Sequence, residues 1–250
     1  MSARPVALVT GGVRRVGLAI ARSLARAGCD LVLTYRSDAD EARAAATDIE
    51  TLGARARIEP LDLSDLTAVE AFGARMARDL PRLDVVIHNA SMYARTPLAT
   101  LTDDAVLAHY RVNAAAPLLL TRHLAARLAE SPRAGGGSVV AIADMHVLGR
   151  PRRDLAAYSM SKAALVEMVR VLARELAPRV RVNAIAPGVV AFPETGAESE
   201  AEFQAQYLAR VPLGRAGTPE DAAEVVRFLG LDAAYVTGEI VRVDGGRWLA

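Results

Sequence analysis

Tyr158 and Lys162 are the side chains on which proton-transfer chemistry in this sequence centres. They stand four positions apart at the start of a predicted helix, and this spacing places them on one helix face. A phenol has an ordinary pKa of about 10 and is a slow acid or base at neutral pH. A neighbouring ammonium would favour the phenolate and lower that pKa, which would make the phenol useful for proton transfer. Such pairs are also common on protein surfaces, so the pair needs support from other residues.

A glycine-rich segment near the N-terminus is suited to binding a phosphate group. Residues 10–17 contain Gly11, Gly12 and Gly17 and lie between the first predicted strand and the first predicted helix. Glycines let the backbone turn tightly and approach a diphosphate, whose charge the following helix N-terminus stabilises. A tight turn without a ligand is the alternative, but the position after the first strand of an α/β chain favours nucleotide binding.

The residues after the second predicted strand indicate which nucleotide binds. Folds that prefer NAD place an acid there for the ribose 2′-hydroxyl, whereas an arginine accommodates a 2′-phosphate. Here Arg36 and Ser37 follow the strand, and no acid comes before Asp38. The forked charged donors of Arg36 and the Ser37 hydroxyl both suit phosphate. The sequence therefore predicts NADPH as the cofactor, the alternative being that Arg36 is a solvated residue at a strand end.

The elements that must position these residues alternate along the whole chain. Strand-length apolar runs occupy residues 5–10, 30–35, 54–59, 83–88, 137–143, 180–186 and 239–243. Segments with helical spacing occupy residues 15–27, 38–52, 64–79, 103–129, 155–177 and 219–230. This alternation predicts an α/β fold, a doubly wound parallel sheet of about seven strands with helices on both faces. We expect one domain over residues 1–250, with residues 191–216 forming a substrate lid or a variable surface excursion.

Composition limits the class of protein further. The 250 residues include 30 basic and 29 acidic side chains, and the net charge of +1 provides no global attraction for nucleic acid or an anionic membrane. The single cysteine excludes an internal disulfide framework. No apolar run approaches the roughly 20 residues of a membrane span, and the N-terminus lacks the apolar stretch of a signal peptide. The histidines lack metal-ligand spacing. We expect a cytoplasmic protein with a small-molecule substrate and no metal.

Seven segments resemble the motifs of the short-chain dehydrogenase/reductase family, in the family's order and across almost the whole chain. They are residues 10–17, Asp62-Leu63, Asn89-Ala90, Asn113, residues 158–162, residues 183–188 and Asp244-Gly245-Gly246. The resemblance implies a Rossmann fold in which a nicotinamide cofactor supplies hydride while the protein supplies orientation and a proton path. Together with the long Ala- and Leu-rich helices predicted at residues 103–129 and 155–177, it also implies a homotetramer.

The resemblance implies a role for each matching residue. Tyr158 would exchange the proton, Lys162 would bind the nicotinamide ribose, and Asn113 would hold a water molecule in the proton relay. The other matching residues would contact the cofactor: Gly11, Arg14, Arg15, Val16 and Gly17 in the glycine segment, Asp62 and Leu63 beside adenine, Asn89 and Ala90 at the adjoining ribose, and Pro187, Gly188 and Val189 at the nicotinamide.

Three departures from the common family pattern resemble the pteridine reductases and the bacterial dihydromonapterin and dihydrofolate reductases. Arg15 replaces a glycine, Ser91 replaces the glycine after Asn-Ala, and Asp144 replaces the serine that follows the fifth strand. By that resemblance Arg15 would contact the cofactor diphosphate and the pterin, and Ser91 would contact cofactor or substrate. Tyr93 would stack on the pterin ring, and Asp144 would help deliver protons to a ring nitrogen.

The chemistry of a carboxylate at position 144 supports a pterin as the substrate, independently of the resemblance. A serine hydroxyl donates to a ketone oxygen, whereas an ionised Asp144 can only accept and would raise the pKa of Tyr158. That arrangement suits a substrate with N–H donors or a C=N bond. Three alternatives remain: Asp144 as a turn residue with Ala143 in the serine's place, a carbonyl reductase such as a 3-oxoacyl reductase, and a catalytically idle nucleotide-binding regulator. The intact Tyr158, Lys162 and Asn113 argue against the last.

Overall fold

A computed structural model describes residues 4–190, 192 and 198–250. The strands within this part of the chain are β1 (Val6–Val9), β2 (Asp30–Tyr35), β3 (Ala56–Pro60), β4 (Val85–His88), β5 (Gly137–Ile142), β6 (Val180–Pro187) and β7 (Ile240–Val243). They pair in parallel in the order β3-β2-β1-β4-β5-β6-β7. The predicted α/β class and doubly wound parallel sheet are confirmed.

Alternation of side chains along the strands explains why helices cover both faces of the sheet. In β1, Ala7 and Val9 belong to one buried hydrophobic cluster, and Leu8 between them belongs to another. Successive strand residues point to opposite faces, so each cluster lies on its own side of the sheet. A parallel sheet buried on both faces needs continuous apolar strands, which is the pattern seen in the sequence.

The helices among the described residues follow the predicted order. They are α1 (Arg15–Arg26), α2 (Ala39–Thr51), α3 (Leu66–Asp79), α4 (Asp103–Tyr110), α5 (Ala116–Ala129), α6 (Ala156–Glu175), α7 (Ala201–Leu208) and α8 (Pro219–Arg227). The Thr218 hydroxyl and the Asp221 carboxylate form a reciprocal capping box at the start of α8, with Pro219 at the first helical position. None of these helices has the length and apolar character that crossing a membrane requires.

Two helix predictions need correction. The single helix predicted at residues 103–129 is divided by a π-helical turn at Arg111–Ala115, so α4 and α5 are separate elements. The predicted lid, residues 191–216, contains helix α7, which sequence periodicity missed because none of its residues is fully buried and no apolar stripe marks it. Residues 191 and 193–197 of the predicted lid lie outside the described residues.

The strand order brings the predicted site residues to one edge of the sheet. Strands β1 and β4 are neighbours, although two strands and three helices separate them in the chain. Successive strands are added outward from β1 on one side and outward from β4 on the other, so the strand order reverses between these two strands. Open α/β sheets bind ligands at such a position, at the carboxyl ends of their strands. The segments after β1, β4, β5 and β6 therefore surround a common crevice.

Candidate active site

The glycine segment after β1 is held tightly against the end of β4. The Asn89 side-chain amide donates to the carbonyl oxygens of Thr10 and Gly11, each at 3.0 Å. The Thr10 hydroxyl oxygen accepts from the main-chain N–H groups of Asn89 and Ala90. A Cβ atom on Gly17 would lie 2.1 Å from the Gly11 carbonyl oxygen, so only glycine allows this approach of helix to loop. Asn89 and Gly17 therefore shape the loop predicted to hold a diphosphate.

The N-terminus of α1 is open to an anion. Arg14, at the N-cap, makes no side-chain hydrogen bond to the helix, and the first turn contains no acidic residue. The first N–H groups of a helix lack partners inside it, and both Arg14 and Arg15 are exposed beside them. Arg15 has a φ of 48°, a left-handed conformation that glycine adopts without strain. A non-glycine residue there costs on the order of 1–3 kcal/mol, and such strain clusters at functional sites.

A groove at the carboxyl ends of β2 and β3 contains the residues predicted to select the nucleotide. Arg36 and Asp62 line this groove, which encloses about 580 Å³. Hydrogen bonds from Ser64 lower the pKa of the Asp62 carboxyl, and the charge of Arg36 adds to that effect. Ser37 is exposed beside Arg36, whereas the Leu63 side chain is buried in the core. Leu63 could therefore contact a ligand here mainly through its main chain.

Asp144 and Tyr158 meet at the centre of the crevice. The Tyr158 hydroxyl donates to Asp144 Oδ2 at 2.8 Å, and the main-chain N–H of His146 donates to Asp144 Oδ1 at 2.8 Å. Asp144 has extended backbone after β5 and also caps the short turn at Met145–Leu148. The alternative in which Asp144 points away as a turn residue is therefore wrong, because one side chain caps the turn and binds the tyrosine.

The protonation of the central residues follows from burial and from this carboxylate. Burial, followed by the charge and hydrogen bond of Asp144, raises the pKa of Tyr158 well above its ordinary value. Burial lowers the pKa of Lys162 to about 8, although Asp144 opposes that shift. Lys162 Nζ donates to the Ile142 carbonyl oxygen at 2.6 Å. The expectation that the ammonium lowers the pKa of Tyr158 is wrong for this arrangement, and the phenol stays protonated at neutral pH.

Asn113 lies in the π-helical turn, a type of bulge that is frequent at functional sites. Its Oδ1 accepts from the Ser91 hydroxyl at 3.0 Å and from the Met92 main-chain N–H at 2.8 Å. Its Nδ2 donates to the Met92 carbonyl oxygen and to the Ser161 hydroxyl, both at 2.9 Å. These four bonds use the full capacity of a side-chain amide. The side-chain amide therefore has no free hydrogen-bonding capacity for the predicted relay water, and the relay role of Asn113 stays a prediction.

Tyr93 borders the crevice beside Tyr158. The two ring centroids are 4.9 Å apart and the rings are nearly perpendicular, at 84°. Tyr93 is 43% exposed, so the residue is accessible from outside the protein. Its hydroxyl donates to Glu198 Oε1 at 3.0 Å and accepts from Arg152 at 3.1 Å. The structure therefore brings the predicted stacking residue to the predicted proton donor.

Comparison with known proteins identifies the family. A family model described as enoyl-(acyl carrier protein) reductase matches residues 12–247, which span the site from the glycine segment to the residues after β7. The chain belongs to the short-chain dehydrogenase/reductase family. It is an oxidoreductase by that membership, and the resemblance stated from its motifs is confirmed at the level of the family.

Individual members of the family similar to this chain differ in the substrates for which they are named. The 2-dehydro-3-deoxy-D-gluconate 5-dehydrogenase of Pseudoalteromonas atlantica is 34% identical, with 98% of this chain and 95% of the relative covered. The dihydromonapterin reductase of Citrobacter koseri is 33% identical, with coverages of 97% and 96%. A crystal structure from Beutenbergia cavernae, described as an NAD(P)-dependent gluconate 5-dehydrogenase with bound NADP, is 35% identical. It has a TM-score of 0.89, with 98% of this chain and 97% of that chain covered.

Sequence reasoning missed residues contributed by loops and by α7. The Tyr207 hydroxyl accepts from the main-chain N–H of Val189 at 3.1 Å and lies close to Gly188, beside the predicted nicotinamide contacts after Pro187. Arg152 donates to Glu198 Oε1 at 2.5 Å above Tyr93. The basic run at residues 150–153, shortly before Tyr158, was a signal that could have indicated Arg152, whereas no local signal pointed to Tyr207.

Proposed function

We propose that this short-chain dehydrogenase/reductase uses NADPH to reduce pteridines, namely dihydropterin or dihydromonapterin and also dihydrofolate, to the tetrahydro form. The observation that carries the proposal is the 2.8 Å hydrogen bond from Tyr158 to Asp144. A site with this pair presents one proton donor and one carboxylate acceptor, because an ionised carboxylate cannot donate. Reduction of a C=N bond needs hydride on carbon and a proton on nitrogen, and pterin N–H groups match the acceptor.

The residues around the crevice fit a nicotinamide dinucleotide phosphate. The open N-terminus of α1, with Arg14 and Arg15, suits the diphosphate. Arg36 and Ser37 suit a 2′-phosphate, and the Lys162 ammonium suits the ribose hydroxyls near Tyr158. When bound, the nicotinamide supplies the hydride. The family relative whose crystal structure holds NADP supports this choice.

The protein's own part of the reaction is proton delivery and orientation. The raised pKa of Tyr158 keeps the phenol protonated, so it can donate to a ring nitrogen. Asp144 orients the phenol and accepts from substrate N–H groups or takes part in passing protons onward. The Tyr93 ring and the Arg15 guanidinium hold the pterin plane, and Ser91 contacts the cofactor or substrate edge.

The cofactor assignment predicts the effect of removing one charge. Arg36→Ala should weaken NADPH binding by about 1.5–3 kcal/mol, the worth of a hydrogen bond to a charged group, and should leave NADH little affected. Fluorescence titration of both cofactors measures this. Arg26→Ala removes an exposed arginine at the far end of α1 and should change neither affinity. Equal weakening of both cofactors by Arg36→Ala would show that Arg36 does not bind the 2′-phosphate.

A carbonyl reductase is the second candidate, and the names of the gluconate-related relatives favour it. Oxidation of NADPH should be followed with dihydrobiopterin, dihydromonapterin, an acetoacetyl thioester and no substrate. The pteridine proposal expects kcat/KM for a dihydropterin to exceed that for the thioester by about tenfold or more, a difference of about 1.4 kcal/mol in transition-state binding. The reverse order would favour the carbonyl reductase, and no oxidation with any compound would favour a nucleotide-binding regulator.

Assembly and location are proposed on the same basis. We propose a homotetramer, and exposed apolar side chains on helices α4, α5 and α6 support it: Leu107, Tyr110, Leu118 and Val171. Apolar residues at the surface of long helices suit packing against a second copy. A cytoplasmic location also stays a prediction, resting on the composition of the chain.

A further inference from the structure

A second, strongly basic pocket lies beside the crevice. It encloses about 360 Å³, a volume within the range of small-molecule sites. The loop at residues 146–152, helix α7 and Arg247 in the C-terminal segment form its walls, and its cationic lining residues are Arg150, Arg152, Arg210 and Arg247. None of the described residues that line it is an aspartate or a glutamate.

The charges of this arginine pocket are incompletely balanced by the protein. Arg247 is buried, and its Nε has no hydrogen-bond partner among the described residues. Burial lowers the pKa of Arg247 and the charges of Arg150 and Arg210 lower it further, whereas Tyr207 and Asp244 oppose that shift. Within the described part of the chain, the Arg210 side chain has no ion pair or hydrogen bond. Grouping cations around a buried arginine is costly unless an anion compensates them.

Contacts between neighbouring residues join the arginine pocket to the candidate active site. His146 lines the pocket, and its main-chain N–H binds the same Asp144 carboxylate as Tyr158. Arg152 lines it too, and donates to the Tyr93 hydroxyl. A molecule bound at Tyr158 could therefore extend directly into the pocket.

The chemistry of the lining residues indicates what would enter. Guanidinium groups bind carboxylates through paired hydrogen bonds. Arg152 already binds the Glu198 carboxylate, which shows that this cation holds such a group in place. Phe203 and Tyr207 add aromatic surface to the lining of the same pocket. This combination suits an aryl segment that ends in carboxylates.

We propose that the arginine pocket binds the carboxylate-bearing tail of the substrate. The inference rests on the proposed function and narrows it: a pteridine with an aryl dicarboxylate tail, as in dihydrofolate, is preferred to a neutral dihydropterin. Arg210 and Arg247 bind the carboxylates, and the Phe203 and Tyr207 rings contact the aryl segment. Recognition of the tail is separate from the proton transfer at Tyr158.

Substrate selectivity tests the proposal directly. In Arg210→Gln, the ratio of kcat/KM for dihydrofolate to kcat/KM for dihydrobiopterin should fall about tenfold at saturating NADPH, the effect of one lost charge-assisted hydrogen bond. Arg247→Gln should act in the same direction. Arg174→Gln removes an exposed arginine in the last turn of α6, outside the pocket, and should leave the ratio unchanged. An unchanged ratio in Arg210→Gln would overturn the proposal.

A binding measurement separates this inference from the pteridine assignment. Calorimetry on the wild-type protein with NADP⁺ bound should detect p-aminobenzoylglutamate, and Arg210→Gln should weaken that binding about tenfold. This result would support the pocket even if no pterin were reduced. Binding of inorganic phosphate without p-aminobenzoylglutamate would indicate a free-anion site and overturn the proposal. Binding of neither compound would also overturn it, while reduction of neutral dihydropterins would leave the proposed function standing.

Discussion

Replacing Tyr158 with phenylalanine is expected to lower the turnover of a dihydropterin by about 100- to 10,000-fold, the usual contribution of a general acid. The substitution keeps the ring that packs against Tyr93 and removes the hydroxyl that donates to Asp144. NADPH affinity should change little, because the phenol is not proposed to carry the charge contacts to phosphate. Steady-state kcat at saturating NADPH, with cofactor affinity measured separately, gives both quantities.

Tyr93→Phe is the matched control for this experiment. It removes a hydroxyl that is bound to Glu198 and Arg152, yet keeps the ring proposed to stack on the pterin. Turnover should therefore stay within a few-fold of the wild-type value. If Tyr158→Phe turned over as fast as Tyr93→Phe, Tyr158 could not be the proton donor.

The same geometry determines the pH dependence of the wild-type enzyme. Because the pKa of Tyr158 is raised well above its ordinary value, the phenol remains a donor throughout the neutral and mildly alkaline range. Lys162, by contrast, has a pKa lowered to about 8. Its cationic form predominates below that pH and disappears above it. We therefore expect turnover to fall as pH rises through about 8, because Lys162 loses its charge while Tyr158 is still protonated.

The fold was predictable because its signals are local and repeated. Each strand is a short apolar run, and each run is followed by a segment with helical spacing, so the parallel pairing followed from the alternation alone. The π-helical turn at Arg111–Ala115 contains no proline or glycine itself, but Pro117 in the first turn of α5 was a local signal that the predicted helix is interrupted. Helix α7 was missed because none of its residues is buried, so no apolar stripe marks it in the sequence.

The sequence indicated which candidate residues would lie near one another, but it did not indicate how they would contact one another. Motif order indicated that Asn113, Asp144 and Tyr158 belong together, but the direction of the Asp144 side chain depends on the turn that follows β5. Two opposing effects on the pKa of Tyr158 were foreseen, from Lys162 and from Asp144. Only the three-dimensional arrangement shows that burial, followed by the charge and hydrogen bond of Asp144, raises the pKa of Tyr158.

The arginine pocket could not be predicted from the sequence. Arg150, Arg210 and Arg247 stand in three segments far apart in sequence, and each segment alone looks like a solvated surface. Their convergence depends on the position of α7 across the end of β6, where Tyr207 binds the main chain of Val189. A long-range contact of this kind leaves no local periodicity that sequence analysis could detect.

Replacing Asp144 with asparagine should also lower dihydropterin turnover by about 100- to 10,000-fold if the carboxylate takes part in protonating a ring nitrogen. The amide has nearly the same shape but carries no charge, so it cannot accept a proton and pass it on to the phenol. It offers one oxygen to the two donors that Asp144 accepts from, the Tyr158 hydroxyl and the His146 N–H. Fold and NADPH binding should survive, because neither depends on the charge of this side chain.

Asp154→Asn and Asp144→Ser are the comparison variants. Asp154 is an exposed carboxylate in the same loop with a φ of 61°, a conformation that asparagine tolerates, so that variant should behave like wild type. Asp144→Ser restores the hydroxyl common in the family beside Tyr158. It should fail on dihydropterins and gain weak activity on simple ketones.

The pH profile of Asp144→Asn provides a second test of the role of Asp144, because the carboxylate also affects the pKa values of Lys162 and Tyr158. The Asp144 charge raises the pKa of Lys162, so its removal should move that pKa below about 8 and shift the alkaline loss of turnover to lower pH. The pKa of Tyr158 should fall toward its ordinary value, although burial still holds it up. Turnover of a dihydropterin at saturating NADPH, measured from pH 6 to pH 10 in both proteins, tests these shifts together. Near-equal rates and an unmoved alkaline limb would mean that Asp144 only shapes the turn after β5, and the substrate would then be an unspecified carbonyl or imine.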